Sequence, residues 1–216
     1  GNKGSDVRLY DFYFRVGGFL EMDTAEDCCL KIYSDNTVCD NIWLWRADHG
    51  INGNSLEAAS NIGWTKNTCD TGVEIYGNDV TAYALMAEHY QKHDVVWYGD
   101  NGKVMFYQCE VAYDVPSQAA WMDGGKNGYS SLHVDSGVNT FTARGLGVYN
   151  YFLANDSGAG IKLHSAITVP DKAGITVEHA CIIGLNGLSI DAVVNGESGT
   201  GVSGPPSNKY LEKYNV

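Results

Sequence analysis

Residues 75–88 read Ile-Tyr-Gly-Asn-Asp-Val-Thr-Ala-Tyr-Ala-Leu-Met-Ala-Glu, and residues 97–110 read Trp-Tyr-Gly-Asp-Asn-Gly-Lys-Val-Met-Phe-Tyr-Gln-Cys-Glu. The two stretches align without a gap at an offset of 22 residues. Residues 32–45 form a third copy, and residues 6–15 form a fainter fourth. Self-similarity at a fixed period is the sequence signature of a repeat protein, so the sequence indicates a repeat architecture.

A polar turn separates two extended runs in each clear copy. The three turns are Ser34-Asp35-Asn36, Gly77-Asn78-Asp79 and Gly99-Asp100-Asn101. Asn, Asp and Gly tolerate the left-handed backbone that a tight corner requires. After the turn, apolar or small residues alternate with other residues, so that Ala82 and Ala84 match Val104 and Phe106. This period of two predicts strands, with the alternating apolar residues on the inner face.

A strand, a corner and a second strand repeating every ~22 residues is the pattern of a solenoid whose coils stack ~4.8 Å apart. Propeller blades need longer, four-stranded repeats, and a β-sandwich would not keep equivalent corner residues in register. The sequence therefore predicts an all-β chain folded as a right-handed parallel β-helix, a solenoid of the pectin-lyase-like type. We place the β-helix at residues 1–195 and a Gly/Ser/Pro-rich C-terminal tail, a cap or a flexible end, at residues 196–216.

Two segments interrupt the repeat and are predicted to contain loops. An insertion lies within residues 46–74, because the step between the first two clear copies is 43 residues rather than 22. A second loop covers residues 114–129. Further strand-like runs follow at residues 147–153, 160–169, 174–183 and 187–194.

The balance of charge limits the classes of partner. The 216 residues contain 26 acidic and only 14 basic side chains, which gives a net charge of −12. Binding to nucleic acid or to an anionic membrane surface relies on Lys and Arg, so we expect neither as a partner. No apolar stretch approaches the ~18 residues of a membrane span.

Two features bear on the cellular compartment. The six cysteines include no CxxC pair, which argues against zinc ribbons and leaves buried thiols or up to three disulfides. Asn155-Asp156-Ser157 matches the N-glycosylation pattern. Together these features favour an extracellular, secreted protein.

Glu88 and Glu110 end their copies of the repeat at equivalent positions, 22 residues apart. Equivalent residues of a β-helix lie directly above one another, so the two carboxylates are expected side by side. Like charges at such a distance cannot both ionise cheaply, and the pKa of one of them rises. A protonated carboxyl beside an ionised one is the pair that glycoside hydrolysis requires. The alternative is that both belong to a repeated solvent-facing surface, as most exposed glutamates do.

Aromatic residues near this pair favour the catalytic interpretation. Trp45 occupies the same column one copy earlier, where its indole can stack on a sugar ring. Trp45 and Glu110 both precede long loops that can wall a cleft. Trp121, in the second of these loops, is the other tryptophan predicted to contact substrate, whereas Trp43 and Tyr76 are predicted to pack in stacks along the coil.

Five separated motifs keep the order in which a known family has them. Residues 41–50 read Asn-Ile-Trp-Leu-Trp-Arg-Ala-Asp-His-Gly, and residues 106–121 begin Phe-Tyr-Gln-Cys-Glu-Val-Ala-Tyr-Asp-Val-Pro-Ser-Gln. They resemble the Trp-x-Trp-Arg-Ala-Asp-His-Gly and Phe-Tyr-Gln-x-Glu-x-x-Tyr-Asp-x-Pro-x-Gln segments of glycoside hydrolase family 55, the exo-β-1,3-glucanases. Residues 63–68, 83–90 and 145–152 are similar to further family segments, so the resemblance covers most of the chain.

The resemblance implies hydrolysis of β-1,3-glucan with inversion of configuration, without a metal or organic cofactor. It implies that Glu110 is the general acid and that Glu88 helps to hold and activate the attacking water. It also implies that the glucose subsite is lined by Trp45, His49, Tyr113 and Gln118. Inversion requires carboxyl groups ~6.5–9.5 Å apart and retention ~5–5.5 Å, and the spacing in sequence alone does not choose between them.

Members of the family resemble two β-helix domains side by side with the cleft between them, and this chain matches only the second. A second β-helix chain or domain is therefore an expected partner that completes the cleft. The alternative function is a non-catalytic carbohydrate-binding or structural β-helix that has lost activity or needs a partner chain for it. A polysaccharide lyase shares the fold, but usually wants Ca²⁺ or basic groups near the acid, and no such cluster accompanies Glu110. His89 and His93 have a spacing that binds zinc on a helix, but their segment is predicted to be strand and corner, so no metal site is expected.

Overall fold

Strands dominate the computed structural model, which describes residues 2–17, 24–48, 64–202 and 207–215. In chain order the strands are β1 (Arg8–Val16), β2 (Ala25–Ile32), β3 (Val38–Arg46), β4 (Thr68–Ile75), β5 (Thr81–Glu88), β6 (Val95–Trp97), β7 (Gly102–Glu110), β8 (Met122–Asp123), β9 (Lys126–Asn127), β10 (Leu132–Val134), β11 (Phe141–Asn150), β12 (Leu163–Thr168), β13 (Ile175–Gly184), β14 (Ile190–Val194), β15 (Thr200–Val202) and β16 (Ser207–Asn215). Two short 3-10 helices cover Gln118–Ala120 and Leu153–Ser157. No helix within the described ranges is long and apolar enough to cross a membrane.

Successive strands alternate between two sheets. Sheet A has the strand order β1-β3-β5-β7-β11-β13-β16-β15, and sheet B has the order β14-β12-β10-β6-β4-β2. From β1 to β13 in sheet A, and throughout sheet B, neighbouring strands run parallel. Each coil therefore adds one strand to each sheet. The prediction of a parallel β-helix is confirmed.

The Cα register reproduces the repeat found in the sequence. Met86 pairs with Gln108 in sheet A, at the offset of 22 residues that the sequence predicts. Across the insertion, Trp45 pairs with Glu88 at the offset of 43. The faint fourth copy is β1, which pairs with β3. Most of the predicted insertion loop falls at residues 49–63, outside the described residues, and the rest of the insertion contributes β4.

Side-chain and backbone contacts between coils hold the corners in register. Asn36, Asp79 and Asn101 have the predicted left-handed backbone, with φ of 51°, 57° and 59°. The side-chain oxygen of Asn78 accepts a hydrogen bond from the backbone N–H of Asp100 in the next coil at 2.9 Å. A Cβ built on Gly99 would lie 1.8 Å from the carbonyl oxygen of the preceding coil. Glycine is therefore required there by the close approach of two backbones.

A left-handed residue interrupts each parallel strand of sheet A at the same level. The six residues, with φ between 49° and 72°, are Asp11, Asn41, Ala84, Phe106, Gly145 and His179. The Cα pairing of neighbouring strands skips each of them. We call this set the bend column. It divides every strand of sheet A into two segments.

The bend column reverses which side chains point inward. In β7, Val104 lies in the core before the bend and Tyr107 lies in the core after it, three residues further on. The predicted inward alternation of Ala84 and Phe106 is therefore wrong, and Phe106 is 60% exposed. Unbroken alternation from Val104 would have directed Glu110 into the interior. The single left-handed residue directs it to the outer face instead.

The interior beyond the bend is filled by columns of small and aliphatic side chains. One column, formed by paired positions in five neighbouring strands, consists of Leu44, Ala87, Cys109, Val148 and Ile182. Each of these residues is fully buried, so a continuous hydrophobic core follows the axis of the solenoid.

Cysteines and tyrosines are distributed along the coil in two ways. All six cysteines fall within the described residues, as free thiols, which agrees with the buried-thiol alternative. Burial raises the pKa of Cys39 and Cys69 to about 12, so these thiols stay protonated. Tyr76 stacks between Tyr33 and Tyr98, with ring centroids 4.8 and 4.6 Å apart, as the predicted stacking requires.

The C-terminal segment covers the last coil. Strand β16 pairs antiparallel with β13, and β15 pairs antiparallel with β16. These pairs terminate sheet A in the manner of a cap, which protects the edge of β13 from solvent. The predicted boundary at residue 195 separates β15 and β16 from the β-helix, although both strands belong to sheet A.

Replacing Gly99 with alanine is expected to lower the free energy of unfolding by at least about 3 kcal/mol, because the added methyl group overlaps a backbone carbonyl. Gly124→Ala is the control, since Gly124 has a φ of 52° but nothing within 4 Å of an added Cβ. The control should lose only the backbone strain of about 1–2 kcal/mol. Urea denaturation measures both losses, and equal losses would contradict the close approach of the coils.

Candidate active site

One column of residues crosses the ends of four strands on the outer face of sheet A. Trp45 pairs with Glu88, and Glu110 pairs with Tyr149. Glu88 and Glu110 end the neighbouring strands β5 and β7, which are joined past their ends by a 2.7 Å hydrogen bond from the backbone N–H of His89 to the carbonyl oxygen of Glu110. The two carboxylates therefore occupy adjacent positions on one surface.

Glu88 is the more deeply buried of the two glutamates, at 7% exposure. Its Oε2 accepts a 2.8 Å hydrogen bond from Nε1 of Trp43. Burial raises the pKa of Glu88 to about 7, against the lowering effect of the Trp43 hydrogen bond, and the nearby charge of Glu110 raises it further. Near neutral pH this carboxyl therefore exchanges a proton readily.

Glu110 remains open to solvent, with its side chain 30% exposed. Its Oε2 accepts a short hydrogen bond from the hydroxyl of Tyr113 and lies 3.8 Å from Nε2 of His89. Burial, followed by the hydrogen bond to Glu110, raises the pKa of Tyr113, so the phenol stays protonated and acts as a donor. The two glutamates thus differ in burial and in the groups that bind them.

Asp48 holds the neighbours of Glu110 in place. It is fully buried, and its Oδ2 accepts a 2.8 Å hydrogen bond from the backbone N–H of Tyr113 and lies 3.3 Å from Nδ1 of His89. The rings of His89 and Tyr113 meet edge to face at 4.6 Å. This contact fixes the direction from which the Tyr113 hydroxyl reaches Glu110.

A buried ion pair anchors the same region to the end of β3. Arg46 is fully buried, its guanidinium is bonded to the carboxylate of Asp114, and its Nε donates to the carbonyl oxygen of His89. The guanidinium also lies 5.6 Å from the ring centroid of Trp64. Arg46 therefore connects three segments that are distant in sequence.

Aromatic rings form one side of the surface around Glu88. Trp45 lies 6.5 Å from Trp43 between ring centroids, and the guanidinium of Arg15 lies 4.5 Å from the Trp45 centroid. Tyr13 contacts Trp43 at a centroid distance of 5.0 Å. Trp43 was predicted only to pack along the coil, but it is 42% exposed and binds a carboxylate.

The loop of residues 114–129 holds two other predicted site residues. Trp121 is 1% exposed, packs against Phe152 in the core and donates from Nε1 to the carbonyl oxygen of Gln91 at 3.0 Å. This position does not fit the predicted contact with substrate, because no face of the ring reaches solvent. Gln118 uses both ends of its amide, donating to the Trp121 carbonyl and accepting from the backbone N–H of Lys162. His49 lies outside the described residues.

Three residues near the glutamates were not identified from the sequence as site residues. They are Trp43, Asp48 and His89. Trp43 carried a usable signal, since it precedes Trp45 by two residues and so shares its face of the strand. Asp48 and His89 follow strand ends, where spacing gives no direction for a side chain.

Histidines elsewhere pack with each other rather than around a common point. His93 stacks on His133 at a centroid distance of 4.6 Å, and desolvation lowers the pKa of His93 to about 4. Among the residues that the structure describes, no group of three or more His, Cys, Asp or Glu side chains is placed to hold a metal ion.

Comparison with known proteins places the chain among β-helix hydrolases. Residues 2–110 match the family described as the LAM55 pectate lyase-like domain. The curated exo-beta-1,3-glucanase of Streptomyces sp. strain SirexAA-E is 36% identical over 179 residues, which are 83% of this chain and 27% of that protein. The solved structure of sacteLam55A from Streptomyces sp. SirexAA-E has a TM-score of 0.82 at 32% identity, over 96% of this chain and 35% of that chain.

A glutamate-to-alanine variant of sacteLam55A, solved in complex with glucose, gives a TM-score of 0.83 at 32% identity, over 98% of this chain and 36% of that chain. The present chain thus spans about a quarter of the length of the curated relative and about a third of the solved chains.

The raised pKa of Glu88 predicts a pH-dependent stability. A carboxyl whose pKa rises from 4.5 to about 7 on folding favours the folded state only while it is protonated, so stability is lost as the pH rises through this window. Glu88→Gln should flatten the dependence and exceed the parent protein in free energy of unfolding by about 1–3 kcal/mol near pH 8. Urea denaturation across the pH range, with the exposed Glu212→Gln as control, measures the effect. An unchanged slope in Glu88→Gln would show that the pKa is not raised.

The Arg46–Asp114 pair is expected to matter more for stability than any exposed pair. Arg46→Leu leaves the Asp114 carboxylate buried without its cation and should cost about 3–5 kcal/mol of unfolding free energy. Lys92→Ala is the control, since Lys92 and Asp70 form a 2.6 Å pair with side chains 48% and 44% exposed, and it should cost at most about 1 kcal/mol. Thermal denaturation compares the two, and similar losses would contradict the anchoring role of Arg46.

Proposed function

Since this chain belongs to glycoside hydrolase family 55, we propose that it hydrolyses the glycosidic bonds of β-1,3-glucan through Glu110 and Glu88. The observation that carries the proposal is the pair of glutamates on adjacent strand ends, one buried with a pKa of about 7 and one open to solvent. The name of the curated relative, an exo-beta-1,3-glucanase, supports the substrate, and the glucose complex of sacteLam55A supports a sugar ligand.

Glu110 acts in this proposal as the general acid. It gives its proton to the glycosidic oxygen as the bond from that oxygen to the anomeric carbon breaks. The carboxylate that remains accepts the hydrogen bond of Tyr113, which stabilises the negative charge in a place with little water. The exposed side of Glu110 leaves room for the leaving group to approach.

Glu88 acts as the base that accepts a proton from the attacking water. A base is most effective when its pKa lies near the working pH, and burial brings the pKa of Glu88 to about 7. The hydrogen bond from Trp43 fixes one oxygen of Glu88, which leaves the other to bind water. Attack by this water on the face opposite the leaving group inverts the anomeric configuration.

The glucose subsite in this proposal includes Trp45 and Tyr113, which flank the glutamates. Arg15 covers Trp45 at 4.5 Å, so the sugar approaches the indole from another side. The bonded amide of Gln118 and the buried ring of Trp121 give neither residue a free group for the sugar.

A second candidate function is that of a non-catalytic carbohydrate-binding or structural β-helix, or of one half of a site that a partner completes. It is favoured by the length of the chain relative to the proteins that it matches, 27% of one and 35% of another. A second β-helix chain or domain has an exposed aromatic surface to contact at Tyr13 and Trp43, which are 50% and 42% exposed.

We also propose that the protein acts outside the cell, because a glucan polymer does not cross a membrane. The Asn155 pattern does not support this location, since its side-chain amide is engaged with Ile161 and Ser189. Immunoblotting of the culture medium and of the cell fraction of the source organism tests the location.

Glu110→Gln is expected to reduce glucose release from β-1,3-glucan by a factor of about 100 or more, because the amide cannot donate the acid proton. Glu178→Gln, on the same sheet but outside the column, should leave the rate unchanged. Proton NMR of the first product should show the α-anomer. Turnover by Glu110→Gln at the parent rate would contradict the proposal, and glucan binding without sugar release by the parent chain would favour the second candidate.

A further inference from the structure

A second concave region lies on the outer face of sheet A, beside the candidate active site. The groove has a volume of about 250 Å³ and is lined by residues of β7, β11 and β13. Its lining includes Phe106, Gln108, Gly145, Gly147, Tyr149 and Cys181. None of these residues was given a role in hydrolysis above.

Phe106 is the least expected residue of this groove. It has a φ of 66° and is 60% exposed, so a bulky ring occupies a backbone conformation that suits Gly, Asn or Asp, and it does not enter the core. The equivalent positions in β1, β3 and β11 are Asp11, Asn41 and Gly145, which tolerate the same conformation at lower cost. Strain combined with exposure of a large apolar ring is typical of a binding surface.

Two glycines of β11 leave the space beside the ring empty. Nothing approaches a Cβ built on Gly145 closer than 3.9 Å, and the nearest atoms there are the backbone of Phe106. A Cβ built on Gly147 would lie 3.4 Å from the ring of Tyr149, an ordinary contact. The groove therefore exists because two neighbouring outward positions of β11 carry no side chain.

The groove is continuous with the pair of glutamates. Gln108 lines it, and its side chain also bonds with Glu88. Tyr149, another lining residue, is the Cα partner of Glu110. Phe106 precedes Glu110 by four residues in the same strand, a distance of roughly 13 Å. That distance exceeds one sugar ring but is within reach of a short oligosaccharide.

From this geometry we propose that the groove is a remote sugar-binding subsite, in which Phe106 forms an aromatic platform for a glucosyl unit away from the bond that is cleaved. The apolar ring contacts the face of the sugar, while Gln108 and the Tyr149 hydroxyl offer hydrogen bonds to its edge. The inference rests on the proposed function, because the occupant is a later unit of the same β-1,3-glucan chain. It assigns chain-length preference to Phe106.

The test measures binding by calorimetry in the Glu110→Gln background, so that turnover does not consume the ligand. The probes are the disaccharide and the hexasaccharide of β-1,3-linked glucose. Phe106→Asn removes the ring and suits the left-handed backbone, and Gly147→Leu fills the groove without a backbone clash. Tyr98→Asn, an exposed aromatic on another face of the coil, is the control.

Both groove variants should bind the hexasaccharide about tenfold more weakly than the parent, with little change for the disaccharide. Phe106→Asn should also melt at a higher temperature, because relief of strain accompanies the loss of function, whereas a structural phenylalanine would melt lower when removed. Should Phe106→Asn fold poorly, Gly147→Leu decides alone. Hexasaccharide binding that is unchanged in the groove variants overturns this inference and leaves the proposed function standing. No binding of either sugar by the parent overturns both.

Discussion

A left-handed residue in the middle of each parallel strand of sheet A shifts the rest of that strand by one side-chain position. Before the bend, Val104 points inward; after it, Cys109 lies inside and its neighbour Glu110 lies outside. The same shift places Ala87 inside and Glu88 on the outer face. Without it, the two carboxylates would point into an apolar interior, where their ionised forms would cost several kcal/mol each. The catalytic surface depends on this backbone feature before it depends on any side chain.

The two glutamates acquire different properties although the repeat makes their positions equivalent. Glu88 is covered and bonded by an indole, whereas Glu110 is partly solvated and bonded by a phenol. The difference arises from segments that do not belong to the repeat, since Tyr113 follows β7 and is held by Asp48 at the end of β3. A repetitive scaffold supplies the adjacency, and the irregular segments at the strand ends supply the asymmetry that acid–base chemistry requires.

The sequence predicted what depends on periodicity and missed what depends on direction. The offsets of 22 and 43 residues gave the strand pairing, the corners and the adjacency of Glu88 and Glu110. Phe106 was placed inside because strict alternation cannot anticipate a left-handed phenylalanine, a conformation that residue type does not signal.

Trp121 shows the second limit of the sequence. A tryptophan in a long loop was expected at the cleft, but the loop folds back so that its ring fills the core beside Phe152. The family resemblance identified Tyr113, which spacing alone would not have selected. The roles of Asp48, His89 and Arg46 arise from contacts across 43 to 68 residues of chain, which no local pattern contains.

The steps between paired positions in the glutamate column differ widely in chain length, yet each spans one strand spacing. Trp45 to Glu88 takes 43 residues, and Glu88 to Glu110 takes 22, because the extra residues leave the coil between its strands. The separation of the reacting groups is therefore set by the backbone ladder and is independent of loop length. Insertions and deletions in the loops can remodel the walls around the substrate without moving one carboxylate relative to the other. Selection can thus alter which glucan is accepted while the bond-breaking chemistry stays fixed.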